Sequence, residues 1–285
     1  MDQFILGDNQ FFGVNHHSRS TGADKAKRFS KTSEIIEVMC AAKRHGAGGV
    51  MLSAHDRVKQ IIQAMRCEPE LANFNVYANV PYLMKYVQKS TQAGLIGLVK
   101  DMVIGQAGPK RLYRAARAYL KRDFRQLLCA GIDIEMAAYQ RFNIKAIFLH
   151  NGIVDLVLGL GLVDVLHDFD NYVRNEYQAI PGYGTLNLPL CVETLKKASI
   201  PEPLIMAPFN HKGFHMNPSR LANEHALVEG GFKLLAMNVM VSGGSNPQIA
   251  FEYLGQFPKL KHVIIGASSE NHLEQNARLI KQYCR

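Results

Sequence analysis

The stretch KLLAMNVMVSGGSNPQIAFEYLGQFPKLKHVIIGASSENHLEQNARLI (233–280) carries the pattern that decides the fold of this chain. An apolar run, 233–241, leads into a segment of helical spacing, 247–256. A second apolar run, 261–268, leads into another such segment that starts at 270. Short buried strands that alternate with amphipathic helices are typical of parallel βα units. The stretch therefore predicts two consecutive βα units.

The same unit recurs towards the N-terminus. Six further apolar runs occur at 4–12, 48–55, 74–82, 144–151, 178–187 and 203–213, and helical segments occur at 32–45, 58–67, 152–177, 188–200 and 218–230. Eight strands with about eight helices are the count of a (β/α)8 barrel, whereas a doubly wound sheet more often has about five to seven strands. No linker rich in Pro, Gly or Ser divides the chain. We therefore predict an α/β fold in which residues 1–285 form a single (β/α)8, or TIM, barrel domain.

One long irregular interval, 83–122, separates the third run from the helix that should follow it. It contains the apolar AGLIGLVKDMVIGQAGP (93–109) and most of the basic KRLYRAARAYLKRDFR (110–125). An insertion after a barrel strand lies at the C-terminal face, where active sites of such barrels are found. The interval predicts a helical lid, with two alternatives: an element for packing or homodimer formation, or a contact with an anionic membrane surface.

The net charge and the cysteines indicate which kinds of partner and which cell compartment the protein has. The net charge is +9, which suits nucleic acid, an anionic membrane surface or an anionic small molecule. Because arginine-rich tails and aromatic RNA-binding motifs are lacking, we expect no nucleic acid and favour an anionic small-molecule substrate. No apolar run approaches the roughly 18 residues of a membrane span, and the N-terminus lacks a secretory signal pattern. Five scattered cysteines without a CxxC motif favour reduced thiols in the cytoplasm.

Several pieces of the second half resemble the aldo-keto reductase superfamily. AIFLHN (146–151) resembles that family's fourth strand, which ends in its catalytic histidine, here His150. PGYGTLNLPLCVETL (181–195) and PLIMAPFN (203–210) resemble its fifth and sixth strands, and KLLAMNVMVSGG (233–244) resembles its seventh strand with a glycine-bearing exit. HVIIGASSENHLEQN (262–276) resembles its eighth strand with the short helix that binds the adenosine phosphate. ILGDNQFFG (5–13) resembles its first strand. The resemblance implies a barrel of this superfamily that can bind NADP(H).

The resemblance fails at the residues of hydride transfer. Family members use Asp, Tyr, Lys and His together, and the tyrosine delivers the proton. Aligned through Ala54, the Asp position is Leu52 and the Tyr position is Arg57, while Asn79 or Val80 stands at the Lys position. Tyr82 with Lys85 is an alternative source of the acid pair. Since a carbonyl reduction needs a proton donor, the sequence argues against the standard reductase mechanism.

Polar residues gather instead at the predicted C-terminal ends of the strands. Imidazoles titrate near neutral pH, which suits acid/base chemistry. We predict His150 and His55 as proton-transfer residues, with Asp56 or Asp8 orienting one of them and Tyr82 as a further candidate. The predicted substrate or anion contacts are Gln10, Arg57, Asn79, Asn151, Asn187, Asn210, His211 and Lys212.

The exits of the seventh and eighth strands predict a phosphate site. Small residues that leave a strand and open a helix expose backbone N–H groups at the positive end of the helix dipole, although an ordinary turn and cap would look the same. The residues concerned are Ser242, Gly243, Gly244, Gly266, Ala267, Ser268, Ser269, Gln275 and Asn276. A metal at His55, His150 and His211 is a competing hypothesis, which we rank lower because no Glu stands at a predicted strand end.

The sequence thus predicts a small-molecule enzyme that performs non-redox acid/base chemistry, as a lyase, isomerase or hydrolase, on an anionic or phosphorylated substrate. Two alternatives stay open. One is an NADP(H)-dependent oxidoreductase with a rearranged proton donor. The other is an inactive barrel that binds a nucleotide or a partner.

Overall fold

A computed structural model describes residues 1–13, 27–81 and 124–284 of the chain. Eight parallel strands close into a barrel in chain order, and β8 pairs with β1. The strands are β1 (Phe4–Leu6), β2 (Gly49–Ser53), β3 (Asn75–Val80), β4 (Ile144–Leu149), β5 (Ile180–Gly184), β6 (Leu204–Pro208), β7 (Lys233–Met237) and β8 (His262–Ile265). Each lies within a predicted apolar run, so the predicted (β/α)8 fold is confirmed.

Within the described ranges, helices follow the strands. They are α1 (Thr32–Arg44), α2 (Val58–Cys67), α3 (Phe124–Met136), α4 (Asn151–Leu160), α5 (Val163–Tyr172), α6 (Leu188–Lys197), α7 (Arg220–Glu229), α8 (Pro247–Leu254) and α9 (Glu270–Tyr283). A π-helical turn, Val173–Tyr177, extends α5. The predicted insertion 83–122 lies outside the described residues, and the single-domain organisation stays a prediction.

The segment 152–177, predicted as one helix, is in fact interrupted. Gly161 ends α4 with a φ of 66°, and its amide N–H bonds to the carbonyls of Val157 and Leu158. A left-handed backbone of this kind is a common helix terminator, and glycine adopts it without steric cost. The chain therefore turns there and begins α5 at Val163.

Strand alternation divides the apolar residues between the inside of the barrel and the layer under the helices. The inside is filled by Ile5, Met51, Tyr77, Ala146, Phe148, Leu204, Met206 and Leu235. Their neighbours of opposite parity, such as Leu6, Leu52 and Ala78, belong to the larger cluster that packs against the helices. The barrel is thus a packed core, and polar side chains of the inward parity are left to its two ends.

A polar network fills the N-terminal end of the barrel. The Tyr77 hydroxyl donates a hydrogen bond to Asp2 Oδ2 at 2.6 Å, and Asn75 Nδ2 donates to the same oxygen at 2.8 Å. The ring of His262 lies 3.1 Å from the Asp2 carbonyl oxygen. Burial raises the pKa of Tyr77 far above its usual value, so this hydroxyl keeps its proton. The opposite, C-terminal end is where the predicted site residues lie.

None of the helices in the described ranges is both long enough and apolar enough to cross a membrane.

Candidate functional site

Asp8 is a buried carboxyl group directly after β1. It is only 5% exposed, and its Oδ2 accepts a hydrogen bond from the backbone N–H of Ser53, at 2.6 Å. Burial raises the pKa of Asp8 to about 6, against the lowering effect of the hydrogen bond from Ser53. A carboxyl group with such a pKa exchanges protons readily near neutral pH. Asp8 is therefore the described acid best suited to general acid/base work.

The end of β2, which carries Ser53, is held from its outer side by Tyr139. The buried Tyr139 hydroxyl donates to the Leu52 carbonyl at 2.7 Å. Leu52, which occupies the family's aspartate position, packs in the layer under the helices. The backbone of β2 is thus fixed on one side by Tyr139 and on the other by Asp8. No sequence motif pointed to Tyr139, because its role depends on a contact between distant segments.

His150 follows β4 and forms the N-cap of α4. Its Nδ1 accepts a hydrogen bond from the backbone N–H of Gly152, at 3.2 Å. Burial lowers the pKa of His150 below its usual value, so the neutral ring is the stable form near pH 7. Because Nδ1 is the acceptor in that ring, Nε2 carries the proton. The predicted proton-transfer residue is therefore arranged as a hydrogen-bond donor. Asn151 is the first residue of α4.

Asn79 lies between these two sites, near the end of β3. It is paired in register with Ser53 on one side and with Phe148 on the other, and it is 8% exposed. Its side chain has the inward parity of Tyr77. The Asn79 Oδ1 atom is fully buried and accepts no hydrogen bond from the described residues. Asp8, Ser53, Asn79 and His150 thus lie at or just after the C-terminal ends of four consecutive strands, β1 to β4.

The three polar residues after β2 differ in their surroundings. The ring of His55 stacks on Phe12, with ring centroids 4.2 Å apart, and its Nδ1 accepts from the backbone N–H of Arg57. Asp56 is exposed. The Arg57 guanidinium donates to the carbonyls of Phe29, at 2.6 Å, and Ser30, at 3.0 Å. Arg57 therefore ties this loop to the segment before α1, and its anion-binding role stays a prediction.

Two predicted substrate contacts, Asn187 and Asn210, make hydrogen bonds with local backbone. Asn187 Oδ1 accepts from the Leu190 N–H and caps α6. The Asn210 carboxamide donates to the Phe214 carbonyl and accepts from the Phe214 N–H, both at 2.9 Å. These bonds explain both residues as parts of a helix start and a turn.

A hydrogen bond joins the loops that follow β6 and β7. Lys212 Nζ donates to the Gly244 carbonyl at 2.6 Å, and His211 Nε2 lies 3.5 Å from Ser245 Oγ. Burial, with the charges of Lys212 and Arg220, lowers the pKa of His211. His211 Nδ1 and Ser242 Oγ are buried without a hydrogen-bond partner among the described residues. Ser242 and Gly243 have left-handed φ values of 54° and 91°.

The exit of β8 is lined by Gln10. Gln10 Nε2 donates to the Gly7 carbonyl at 2.6 Å, and a side chain on Gly266 would collide with Gln10 Oε1. Ala267 is buried, while Ser268 is half-buried. Ser269 precedes α9, and its hydroxyl oxygen accepts no capping hydrogen bond from the first turn of that helix. On α9, Gln275 is exposed and Asn276 is buried. Phosphate binding here stays a prediction.

The predicted histidine metal set does not assemble. In the described ranges, one group of three potential ligands comes close enough to share an ion, and it is Cys40, Glu68 and Glu70 rather than His55, His150 and His211. Cys40 lies on α1, whereas Glu68 and Glu70 lie on the loop before β3, at the N-terminal end of the barrel. The Glu70 carboxylate pairs with Arg44 at 3.1 Å. Tyr82 lies outside the described residues.

Comparison with solved structures finds barrels of similar fold that are aldo-keto reductases. One from Pseudomonas aeruginosa matches with a TM-score of 0.61 at 13% identity, covering 99% of this chain and 91% of the other. One from Klebsiella pneumoniae, in complex with NADP and acetate, matches at 0.53 and 12%, covering 98% and 85%. Aldose reductase from Giardia lamblia matches at 0.53 and 11%, covering 88% and 84%. This chain has the fold of the aldo-keto reductases.

The resemblance first seen in the sequence motifs is therefore confirmed as a shared fold. No protein-family model matches the sequence, and no curated protein matches it significantly.

Proposed function

We propose that this aldo-keto-reductase-like barrel is an enzyme that performs non-redox acid/base chemistry on a small anionic substrate. Asp8 transfers the proton, and the neutral His150 donates a hydrogen bond to the substrate oxygen on which charge develops. Such a pair serves lyase or isomerase chemistry, in which a proton moves next to a polarised oxygen. The net charge of +9 supports an anionic substrate.

The observation that carries this proposal is the buried Asp8 carboxyl with a pKa of about 6. It adjoins Ser53 on the strand whose family-pattern aspartate position is a leucine, Leu52. The residues expected for hydride transfer are thus replaced, while a different proton-transfer group stands beside them. Burying an ionisable carboxyl group costs free energy, and carboxyl groups whose pKa is raised in this way are concentrated at functional sites.

The experiment is a substrate panel followed by proton NMR in D2O, without added cofactor. Phosphorylated and carboxylated hydroxy compounds are incubated with the full chain, and exchange of carbon-bound hydrogen or product formation is measured. Asp8→Asn and His150→Asn are each expected to lower kcat by about 100-fold or more. Turnover that requires NADPH and survives Asp8→Asn would refute the proposal.

An NADP(H)-dependent oxidoreductase is the second candidate. It is favoured by the full-length match to a barrel solved with NADP and by the left-handed, serine-bearing exit of β7 at Ser242. Fluorescence titration with NADPH tests it. Micromolar binding that is weakened by Ser242→Ala and Ser268→Ala supports this candidate, whereas no binding at millimolar NADPH excludes it.

We infer that the proposed enzyme works in the cytoplasm, since none of its five cysteines forms a disulfide. We infer a homodimer as its working form from the apolar and basic composition of 83–122. Sedimentation of the purified chain at several concentrations tests this.

A further inference from the structure

Asn151 and Gly152, at the start of α4, are the one Asn-Gly pair in the sequence. The side-chain Cγ of an asparagine can be attacked by the backbone nitrogen of the next residue, and a following glycine has no side chain to hinder that approach. Both residues are half-buried, which leaves them within reach of water. The Asn151 carboxamide makes no hydrogen bond with the described residues, so no such bond holds it away from the Gly152 nitrogen.

The Gly152 nitrogen is not locked into the hydrogen bonds of the helix. Gly152 is the second residue of α4, and the N–H groups of a first turn have no partner within their own helix. Its N–H donates instead to His150 Nδ1, at 3.2 Å. An imidazole in this position can take the proton while the nitrogen attacks. Burial lowers the pKa of His150, so near pH 7 the ring is neutral and able to act as a base.

We propose that Asn151 is a modification site, at which the protein converts its own asparagine to aspartate or isoaspartate with His150 as the base. The Gly152 nitrogen forms a bond to Asn151 Cγ and loses its proton to His150 Nδ1. The Cγ–Nδ2 bond breaks, and Nδ2 takes up that proton and leaves as ammonia. Water then opens the five-membered imide at either carbonyl. One water is consumed, one ammonia is released, and the amide becomes a carboxyl group.

Asn271 is a matched comparison within the same chain. It also lies in the first turn of a helix, α9, and its side chain is more exposed than that of Asn151. It is followed by His272 instead of a glycine, and α9 has no capping hydrogen bond from a side chain at its start. Exposure alone would make Asn271 the more reactive of the two, whereas the glycine and the imidazole favour Asn151.

Deamidation of Asn151 puts a negative charge into the mouth of the barrel. A carboxylate in the first turn of α4 interacts favourably with the helix dipole, so we expect the modified chain to stay folded. The same charge stands beside His150 and repels an anionic substrate. This consequence rests on the proposed function, whereas the modification itself does not.

The first test follows the modification in the wild type. The purified full chain is incubated near neutral pH, and the peptides that contain Asn151 and Asn271 are quantified at intervals by mass spectrometry. Asn151 should gain the mass of the amide-to-carboxyl change at least about 10-fold faster than Asn271. Equal rates, or a faster change at Asn271, would overturn the inference.

The second test separates the base from the helix cap. In His150→Ser the serine is also a good N-cap and can accept from the Gly152 N–H, but it is no base near neutral pH. His150→Ser should therefore keep a Tm close to that of the wild type and slow the change at Asn151 at least about 10-fold. If its Tm falls, Gly152→Ala decides, because it keeps His150, improves helix propensity and hinders the attack. A rate that neither variant lowers contradicts the inference.

Asn151→Asp has the charge of the product and tests the consequence for the mouth. For a phosphorylated compound that the wild type turns over, its kcat/KM should fall by at least about threefold, because like charges repel. An unchanged kcat/KM would show that the modification leaves the site untouched. The mass measurements need no substrate, so the modification and the proposed function fail separately.

Discussion

At the scale of single residues, Asp8 shows how burial creates reactivity. The fold raises the pKa of its carboxyl from 3.8 to about 6 because desolvation disfavours the ionised form. The folded state therefore binds the proton more tightly than the unfolded state does. The ionised carboxylate costs no stability below about pH 4, an increasing amount up to about pH 6, and the full amount above that.

Asp8→Asn should accordingly stabilise the protein more at alkaline than at acidic pH. The relative gain between pH 4 and pH 8 is on the order of 3 kcal/mol, from the shift in pKa. The Asn oxygen can still accept the hydrogen bond from the Ser53 N–H, so the local structure is kept. Urea unfolding at both pH values measures the difference, with Glu37→Gln, at an exposed position of α1, as control. A pH-independent difference would mean that Asp8 has an ordinary pKa.

At the scale of elements, Asn187 can be tested for two roles, as the cap of a helix or as a contact to the substrate. The sequence pattern suggested a substrate contact, but the side chain caps α6 through the Leu190 N–H. Asn187→Ala should therefore cost about 1 kcal/mol of unfolding free energy, whereas Asn187→Asp, which is also a good cap, should cost much less.

Substrate-binding measurements on the same two variants complete this prediction. If Asn187 only caps the helix, Asn187→Asp keeps wild-type affinity for the panel compounds as well as stability. An aspartate variant of normal stability that loses binding would restore the substrate contact as the role of this residue.

The strands and helices could be predicted because their signals are local. Each strand lies within an apolar run, and α2 starts and ends at the predicted residues, Val58 and Cys67. The hydrogen-bond partner of each polar side chain could not be predicted. Arg57 bonds to carbonyls of residues nearly thirty positions away, and Tyr139 bonds to Leu52 from another βα unit. Such contacts depend on how the elements are placed in space, which periodicity does not encode.

At the scale of the whole molecule, the two ends of the barrel have different chemistry. The N-terminal end is closed by side chains that satisfy one another, with Asp2 Oδ2 accepting from both Tyr77 and Asn75. The C-terminal end holds polar atoms without partners among the described residues, Asn79 Oδ1 and Ser242 Oγ. Satisfied polar groups stabilise a fold, whereas a buried polar atom without a partner in the described protein is a candidate for contact with a ligand. Substitutions at the N-terminal end should therefore change mainly the unfolding free energy, and substitutions at the C-terminal end mainly ligand binding and turnover.

Tyr77→Phe tests this separation from the stable end. The substitution removes two hydrogen bonds, the one that the hydroxyl donates to the Asp2 carboxylate and the one that it accepts from the Asp2 backbone N–H. The ring still fills the barrel interior, so we expect a loss of about 1–3 kcal/mol in unfolding free energy. Because the hydroxyl lies at the N-terminal end of the barrel, opposite Asp8 and His150, the affinity for the compounds of the substrate panel should stay within about twofold of the wild type. Urea unfolding and ligand-observed NMR on the same preparation measure both quantities. A variant that loses binding without losing stability would show that the two ends are coupled through the barrel core, with Tyr77 and Phe148 as the layer that connects them.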